Sequence, residues 1–223
     1  MNTKTICKML MSAAAILLAT GCATKVPNVP YDYSALKESR PRSILVLPPV
    51  NKSLEIPATY SVLSYATRPL AEAGYYVMPV TLVAEAFKEN GMTEPTDMHA
   101  SSPEKLRQIF GADAALYITI SKYGTIYRVV NSESLVAAQA KLVDLKTGKT
   151  LWSGEAQASS AENQNQQSGG LAGLLITAII NQVIASTFDQ SHQIAGITTT
   201  RLLSAGANRG LLYGPRSPHY GKD

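Results

Sequence analysis

Few side chains in this sequence are suited to covalent or metal chemistry. The 223 residues include two cysteines, Cys7 and Cys22, and three histidines, His99, His192 and His219. No two histidines have the four-residue spacing that places two zinc ligands on one helical face, and no G-x-S-x-G motif marks a nucleophilic serine. We therefore expect the histidines to face solvent, and we predict no metal site, no cofactor and no enzymatic activity.

The glycine-containing stretches do not complete a phosphate-binding loop either. Residues 147–150, TGKT, match the end of such a loop, but Val143 replaces the glycine that is required five residues before Gly148. Because the stretch lies between two predicted strands, we interpret it as a hairpin turn. Residues 168–173, SGGLAG, lack both the G-x-G-x-x-G pattern and a preceding strand, and we predict a loop that leads into a helix.

The N-terminal segment that ends before Cys22 has the features of a signal peptide. Lys4 and Lys8 accompany an apolar run, residues 9–19, with the sequence MLMSAAAILLA. A membrane-spanning helix needs roughly 20 apolar residues, so this run favours export and cleavage over a permanent span.

The residues around Cys22 resemble a bacterial lipobox. Thr20 and Gly21 are the small residues before the cysteine, and the usual leucine stands one position early, at Leu18. The resemblance implies cleavage between Gly21 and Cys22, an S-diacylglycerol on the Cys22 sulfur and an acylated Cys22 amine, with palmitate as the acyl chain. Each buried methylene contributes about 0.8 kcal/mol, so several acyl chains would form a near-permanent anchor.

The residue after the cysteine bears on the destination of the protein. Ala23 occupies the position at which aspartate marks retention in the inner membrane of enteric bacteria. The resemblance therefore implies residence in the outer membrane, facing the periplasm, and leaves exposure at the cell surface open.

Charge indicates no nucleic-acid partner. The formal net charge is +4, and it falls to +2 from Cys22 onward because the leader contains Lys4 and Lys8 and no acid. No run of basic residues interleaved with aromatic residues is present, as nucleic-acid binding would favour.

We divide the chain into four parts. Residues 1–21 are the predicted signal peptide, and residues 22–42 are a lipidated tether with three prolines, whose 20 residues after the cysteine would span at most about 70 Å. Residues 43–205 form a single predicted domain, and residues 206–223 form a Gly/Pro-rich C-terminal tail.

Alternating strand and helix patterns predict an α/β fold for the domain. Strands are predicted at residues 43–49, 75–80, 113–124, 134–144 and 150–158, and helices at residues 58–73, 81–91, 101–112, 171–188 and 191–204. Helical crossovers between the first three strands predict parallel pairing, and the hairpin at Gly148 predicts an antiparallel meander. The result is a mixed sheet, with parallel β-α-β units followed by the meander, and helices packed on it.

Local signals sharpen several of these elements. Thr81 and Ser102 are predicted N-caps, and Pro69 should kink or interrupt the first helix. Gly74 should end that helix. Trp152 lies on a strand beside the hairpin, and we expect the sheet to bury it.

Four stretches resemble a family of Gram-negative outer-membrane lipoproteins of uncharacterised function: SILVLPPVNKSLEI, LAEAGYYVMPV, FGADAALYITISKYG and AKLVDLKTGKTLWSGEA. Two phrases within them, GADAALY and LVDLKTGKTLWSG, also resemble the sheet of the curli-secretion lipoprotein CsgG and of the amino-terminal domain of TolB. The resemblance implies a sheet of the TolB amino-terminal-domain/CsgG type. It also implies a non-catalytic, lipid-anchored protein-interaction module of an outer-membrane or periplasmic assembly or secretion complex. The alternative is an activator of a periplasmic enzyme such as a cell-wall synthase.

Residues 163–188 carry no charged side chain. The predicted helix 171–188 would be apolar on two sides, which leaves four interpretations: core, dimer interface, docking face for another protein, or membrane contact. Because the sheet and helix 191–204 would cover only part of this surface, we predict a homodimer through 171–188. The interface candidates are Leu171, Leu174, Leu175, Ile176, Ile180 and Ile184.

Overall fold

The computed structural model describes residues 30–127, 132–162, 190–207 and 209–222, and the domain forms one compact unit from Asp32 onward. Its helices are α1 (Ser34–Ser39), α2 (Ala58–Glu72), α3 (Val80–Glu89), α4 (Pro95–Ala100), α5 (Pro103–Phe110) and α6 (Gln190–Leu203). Its strands are β1 (Ser43–Val46), β2 (Val50–Asn51), β3 (Tyr76–Val77), β4 (Ala114–Tyr127), β5 (Ser132–Asp144) and β6 (Thr150–Ser159). No helix within these ranges combines the length and the hydrophobicity needed to cross a bilayer.

The strands form one mixed sheet in the order β3-β1-β4-β5-β6. β1 pairs in parallel with β3 and β4, whereas β4, β5 and β6 pair antiparallel, which confirms the predicted mixed sheet. β2 pairs with β4 in parallel, farther along the edge that β1 occupies. Pro48 and Pro49 lie between β1 and β2 and interrupt the pairing, because proline has no N–H to donate.

Helices cover both faces of the sheet. On one face, α6 packs against α2, β5 and β6. On the other, α3, α4 and α5 pack against alternate residues of β1 and β4, because successive side chains of a strand point to opposite faces. The buried side chains of this second layer are Leu45, Leu47, Val83, Phe87, Met98, Leu106, Ala112, Ala115, Tyr117, Val143 and Leu145.

Trp152 is buried in the sheet, as predicted. Only 1% of its surface is exposed, and its indole N–H donates a hydrogen bond of 3.0 Å to the carbonyl of Arg209. A Cβ at Gly154 would lie 2.4 Å from the indole ring. The tryptophan side chain therefore fills space in the core and also holds the segment around Arg209 against the sheet by a hydrogen bond.

Of the predicted helix signals, the interruption at Pro69 and the cap at Thr81 are wrong and the cap at Ser102 is confirmed, while a kink at Pro69 stays a prediction. α2 continues through Pro69 to Glu72, because a proline in the last turn removes only one backbone hydrogen bond. α3 begins at Val80 with Pro79 before it, so the predicted cap Thr81 lies inside the helix. Ser102 does cap α5, where its hydroxyl accepts from the N–H of Lys105 at 3.3 Å.

The folded domain extends beyond both predicted boundaries. α1 lies within residues 22–42, which were assigned to the tether, and its Leu36 is 3% exposed. Part of the predicted tail packs on the end of α2, where the N–H of Gly214 donates to the carbonyl of Ala73 at 2.8 Å. A Cβ at Gly74 would lie 2.4 Å from the backbone nitrogen of Ser217. Glycine thus permits a close backbone contact that a Gly/Pro-rich composition does not reveal.

Candidate functional site

Large apolar side chains are exposed together at one end of the sheet, which we call the apolar end. It consists of Leu54 (99% exposed), Ile56 (90%), Tyr60 (72%), Ile126 (37%) and Tyr127 (83%). Single exposed apolar residues are ordinary on protein surfaces, but clustered ones usually mark interfaces.

The fold brings the two parts of the apolar end together. β2 runs parallel to β4, so the loop after β2 continues toward the far end of β4. Within that loop, Glu55 lies so close to Gly124 that a Cβ on the glycine would be 2.9 Å from the glutamate Cγ. The hydroxyl of Tyr123 donates to the hydroxyl of Ser61 at 3.0 Å and holds the first turns of α2 beside β4.

The residues that flank the uncharged stretch also lie at this end. The N–H of Ser159, the last residue of β6, donates to Glu162 Oε1 at 2.9 Å. The hydroxyl of Ser134, at the start of β5, donates to Gln190 Oε1 at 2.8 Å. Residues 163–189 are outside the described part of the chain, and so are all six predicted interface residues, Leu171 to Ile184, and the predicted lipidation site Gly21–Cys22.

α6 already uses its apolar side chains inside the domain. Ile194, Ile197, Leu202 and Leu203 are at most 8% exposed. They pack on the sheet and α2, so these side chains are committed to the described core.

The opposite end of the sheet, which we call the tether end, contains α1 and residues 209–222. Hydrogen bonds fix both segments: the hydroxyl of Tyr33 donates to the carbonyl of Gly210 at 2.7 Å, and that of Tyr75 donates to the carbonyl of Leu212 at 2.8 Å. The 14 residues of β4 separate the two ends by roughly 40 Å at the usual rise of a strand.

Asp144 is the main polar junction of the tether end. One carboxylate oxygen accepts from the hydroxyl of Ser39 at 2.5 Å, and the other accepts from the N–H groups of Lys146 and Thr147 at 2.8 and 2.7 Å. Burial alone would raise the pKa of Asp144, but these hydrogen bonds outweigh it and leave the pKa below its ordinary value. The carboxylate thus joins α1 to the β5–β6 turn.

A cavity of about 360 Å³ opens between α1 and the C-terminal residues, and we call it the basic cavity. Among the described residues that line it, only Lys37 and Arg40 are charged. Within the described part of the chain, neither the Lys37 ammonium nor the terminal nitrogens of Arg40 have a hydrogen-bond or ion-pair partner. Its lining is completed by Leu36, Pro41, Tyr75, Leu212, Tyr213, Pro215, Tyr220 and Gly221.

Arg40 has an unusual backbone for a residue with a side chain. It ends α1 in the left-handed region, with φ of 48° and ψ of 54°, and its N–H donates to the carbonyl of Leu36. Glycine or asparagine normally occupies this position, because a Cβ makes the left-handed conformation cost about 1–2 kcal/mol. Such strained positions are common at functional sites.

The prediction that His99 faces solvent is wrong. It is half-buried, with Nε2 2.9 Å from the carbonyl oxygen of Pro48 and its ring edge-on to Tyr117. Burial lowers the pKa of His99, the Pro48 carbonyl opposes this, and the charge of Lys141 adds to the lowering. These contacts indicate a structural role for His99, which packs between Tyr117 and the prolines that separate β1 from β2.

The other two histidines differ from each other. His192 is half-buried, with Nδ1 2.7 Å from the Ser61 hydroxyl and its ring 4.8 Å from that of Tyr65. His219 is exposed, as predicted, and contacts Tyr213. Among the described residues, no group of three His, Cys, Asp or Glu side chains is arranged to hold a metal ion.

Neither end is among the sites predicted from the sequence. A signal for the apolar end exists in LEIPATY, residues 54–60, where three large apolar side chains occur in and beside a proline-containing loop. No comparable signal exists for the basic cavity, since it forms only where residues 36–41 meet Tyr75 and residues 212–221.

Comparisons with known proteins point to lipoproteins. The family model described as "Putative lipoprotein GNA1162-like" matches residues 31–216. "Putative lipoprotein NMB1124/NMB1162" of Neisseria meningitidis serogroup B is 46% identical over 209 residues, which are 93% of this chain and 95% of that protein. The crystal structure of lipoprotein GNA1162 from Neisseria meningitidis is 50% identical with a TM-score of 0.54, and the match covers 66% of this chain and 100% of that one.

Proposed function

Because the chain belongs to the GNA1162-like family of lipoproteins, we propose that it is a lipid-anchored, non-catalytic protein-interaction module of an envelope assembly or secretion complex. The proposal places it in the outer membrane, facing the periplasm, with Cys22 as the acylated residue. The observation that carries the proposal is the apolar end, where five large side chains are exposed together. Such a cluster supports binding to protein rather than catalysis.

The length of the tether supports an orientation for the domain. The domain begins near Asp32, so nine residues lie between it and Cys22, and the ten residue steps from Cys22 to Asp32 reach at most about 35 Å. The tether end can therefore reach the membrane surface. The apolar end is roughly 40 Å farther along β4, so a domain that stands upright on its tether holds the apolar end away from the leaflet. We propose this upright orientation, in which a protein rather than that membrane covers the apolar end.

We propose that the occupant is a second copy of this chain, which the segment 171–188 joins in the interface. The flanking residues Glu162 and Gln190 lie at the apolar end, so the uncharged segment starts and ends beside the exposed side chains. Two-fold pairing covers such a region with an identical one. The exposed charges nearby have both signs, Lys52 and Glu55, so two copies can place unlike charges opposite each other.

Light scattering of the mature chain, residues 22–223 with Cys22→Ser, tests the homodimer at tens of micromolar. We expect a dimer for this protein, and a folded monomer both for Leu54→Ser with Ile56→Ser and for Ile180→Lys with Ile184→Lys. Leu82→Ser is the matched control, because Leu82 is 68% exposed but lies on α3, outside the apolar end. A monomeric parent protein would rule out the homodimer and leave a different protein as the occupant.

Membrane fractionation tests the anchor. The full chain with Cys22→Ser should lose the anchor and appear in the soluble envelope fraction, or remain as uncleaved precursor, because the oxygen of serine does not accept the diacylglycerol. A Cys7→Ser variant should mature and fractionate normally. If the Cys22→Ser variant still matures and stays with outer membranes, the anchor assignment is wrong.

A further inference from the structure

The basic cavity has the composition of an anion site that no described residue fills. Lys37 and Arg40 contribute two positive charges, and none of the described lining residues is an acid. The terminal nitrogens of Arg40 have no hydrogen-bond partner in the described part of the chain. Arginine and lysine in this arrangement suit a phosphate group, since arginine can bind two of its oxygens in parallel.

The walls of the cavity suit an apolar or hydroxylated extension of that anion. Tyr75, Tyr213 and Tyr220 line it together with Leu212 and Pro215. A volume of about 360 Å³ lies at the lower end of the range for small-ligand sites, roughly 300–1,000 Å³. It accommodates a glycerophosphate headgroup but not a whole two-chain phospholipid.

Exposed arginines and a tyrosine ring also surround the cavity, while the neighbouring acids Asp32 and Glu38 interact with the Ser34 N–H and with Lys149, respectively. Arg42, Arg209 and Arg216 are exposed at the tether end, and the Arg216 guanidinium lies 5.3 Å from the centre of the Tyr76 ring. Basic residues attract anionic leaflets, and tyrosines favour the headgroup layer of membranes. The cavity is therefore part of a surface suited to a bilayer.

The geometry points to one ligand. We propose that the basic cavity binds the phosphate headgroup of an anionic phospholipid in the membrane that holds the anchor. This proposal rests on the orientation given by acylation of Cys22, which brings the tether end within about 35 Å of that membrane. Arg40 and Lys37 bind the phosphate oxygens, the tyrosines contact the glycerol, and the acyl chains stay in the bilayer.

Vesicle co-flotation tests the proposal with the unacylated mature chain, residues 22–223 with Cys22→Ser. The probes are vesicles of phosphatidylcholine alone and of phosphatidylcholine with phosphatidylglycerol. We expect binding only to the anionic vesicles. The double variant Lys37→Gln with Arg40→Gln should weaken binding to the anionic vesicles about 30-fold. Each cation near an anionic surface contributes about 1 kcal/mol, and roughly 1.4 kcal/mol corresponds to a tenfold change in affinity.

The matched control removes the same charge from the other end of the sheet. Lys52→Gln with Lys122→Gln lowers the net charge equally, but these exposed residues lie near the apolar end. They are several Debye lengths from a membrane at the tether end, so we expect less than a threefold change. Equal weakening by both pairs would overturn the proposal.

Soluble headgroup separates the cavity from the general basic surface. Glycerol 3-phosphate at millimolar concentration should compete with the anionic vesicles and shift the NMR signals of Lys37 and Arg40 in a saturable way. Inorganic phosphate should compete more weakly. If Arg42→Gln with Arg216→Gln weakens vesicle binding as much and glycerol 3-phosphate does not compete, the cavity is not the site. Binding of glycerol 3-phosphate without binding of vesicles would overturn the lipid source.

These results are independent of the anchor experiment. The vesicle assay uses protein without acyl chains, so it can fail while fractionation still identifies Cys22 as the anchor. Conversely, loss of the anchor assignment would leave a measured affinity for anionic vesicles intact and remove only the orientation argument.

Discussion

The tether end and the apolar end of the sheet differ in how their side chains are satisfied. At the tether end, hydroxyl and carboxylate groups bridge distant segments, and the Ser39–Asp144 and Tyr33–Gly210 hydrogen bonds are examples. At the apolar end, Leu54 and Tyr127 extend into solvent with more than four-fifths of their surface exposed. In the described part of the chain, internal hydrogen bonds thus hold the tether end together, whereas the apolar end exposes large apolar side chains.

The topology of the sheet causes this separation. β4 is long enough to pair with β1 and β2 on one side and with β5 on the other. Its first residues lie among the N-terminal and C-terminal segments of the domain, and its last residues project beyond β6 in the β4–β5 hairpin. A single strand therefore sets the distance between a surface suited to a membrane and a surface suited to protein.

The largest expected effect comes from removing the tryptophan that joins the C-terminal residues to the sheet. Trp152→Ala should lower the free energy of unfolding by about 3–5 kcal/mol, because the ring is fully buried and its N–H bond to Arg209 is lost. Tyr127→Ala at the apolar end is the contrasting variant, and for an exposed ring we expect a change within about 0.5 kcal/mol. Chemical denaturation of both variants measures the difference. Trp152→Ala with an unchanged melting temperature and altered partner binding would instead indicate a surface role for this residue.

A smaller effect comes from the carboxylate that joins α1 to the β5–β6 turn. Asp144→Asn should lower the free energy of unfolding by about 1–3 kcal/mol at pH 7, since charge-assisted hydrogen bonds from Ser39, Lys146 and Thr147 are weakened. Because the folded-state pKa is lowered, this stabilisation is present above the ordinary pKa of 3.8 and disappears as the pH falls through the folded value.

Denaturation curves between pH 7 and pH 3 check this assignment. The difference in stability between the parent protein and Asp144→Asn should shrink as the pH falls below about 4, because protonation removes the same charge. A difference that stays constant over this range would show that Asp144 contributes no charge-dependent stabilisation.

Much of the fold follows from local sequence signals. The buried strand at 43–46 is a continuous apolar run, the hairpin has Gly148 at φ of 71°, and Ser102-Pro103 marks the start of α5. These features depend on residues adjacent in sequence. α1 is missed because its six residues are stabilised by contacts with distant segments, and Leu36 alone gives too little periodicity to indicate a helix.

The candidate sites, by contrast, depend on contacts between residues that are far apart in the sequence. The loop containing Leu54 and Ile56 reaches the β4–β5 hairpin only because β2 pairs with β4, which the two-residue strand does not reveal. The basic cavity needs Lys37 to meet Tyr213 across a long separation in sequence. These two segments fall in the predicted tether and the predicted Gly/Pro-rich tail, because backbone contacts through Gly74 and Gly214 leave no hydrophobic pattern in the sequence.

The smallest expected effect concerns Arg40 at the tether end. Its replacement should change stability and vesicle binding in opposite directions. Arg40→Gly relieves a left-handed backbone, with φ of 48°, and should raise the free energy of unfolding by about 0.5–1 kcal/mol after the entropy of glycine is considered. The same change removes a cation of the basic cavity and should weaken binding to phosphatidylglycerol vesicles.

Arg209→Gly is the comparison variant, since Arg209 has a φ of 60° but does not line the cavity. Because Arg209 belongs to the basic surface around the cavity but not to its lining, this variant should weaken vesicle binding less than Arg40→Gly does. If Arg40→Gly gains stability with no loss of binding, the strained arginine has no role at the membrane surface. If it loses stability, the Arg40 side chain contributes to packing at the tether end.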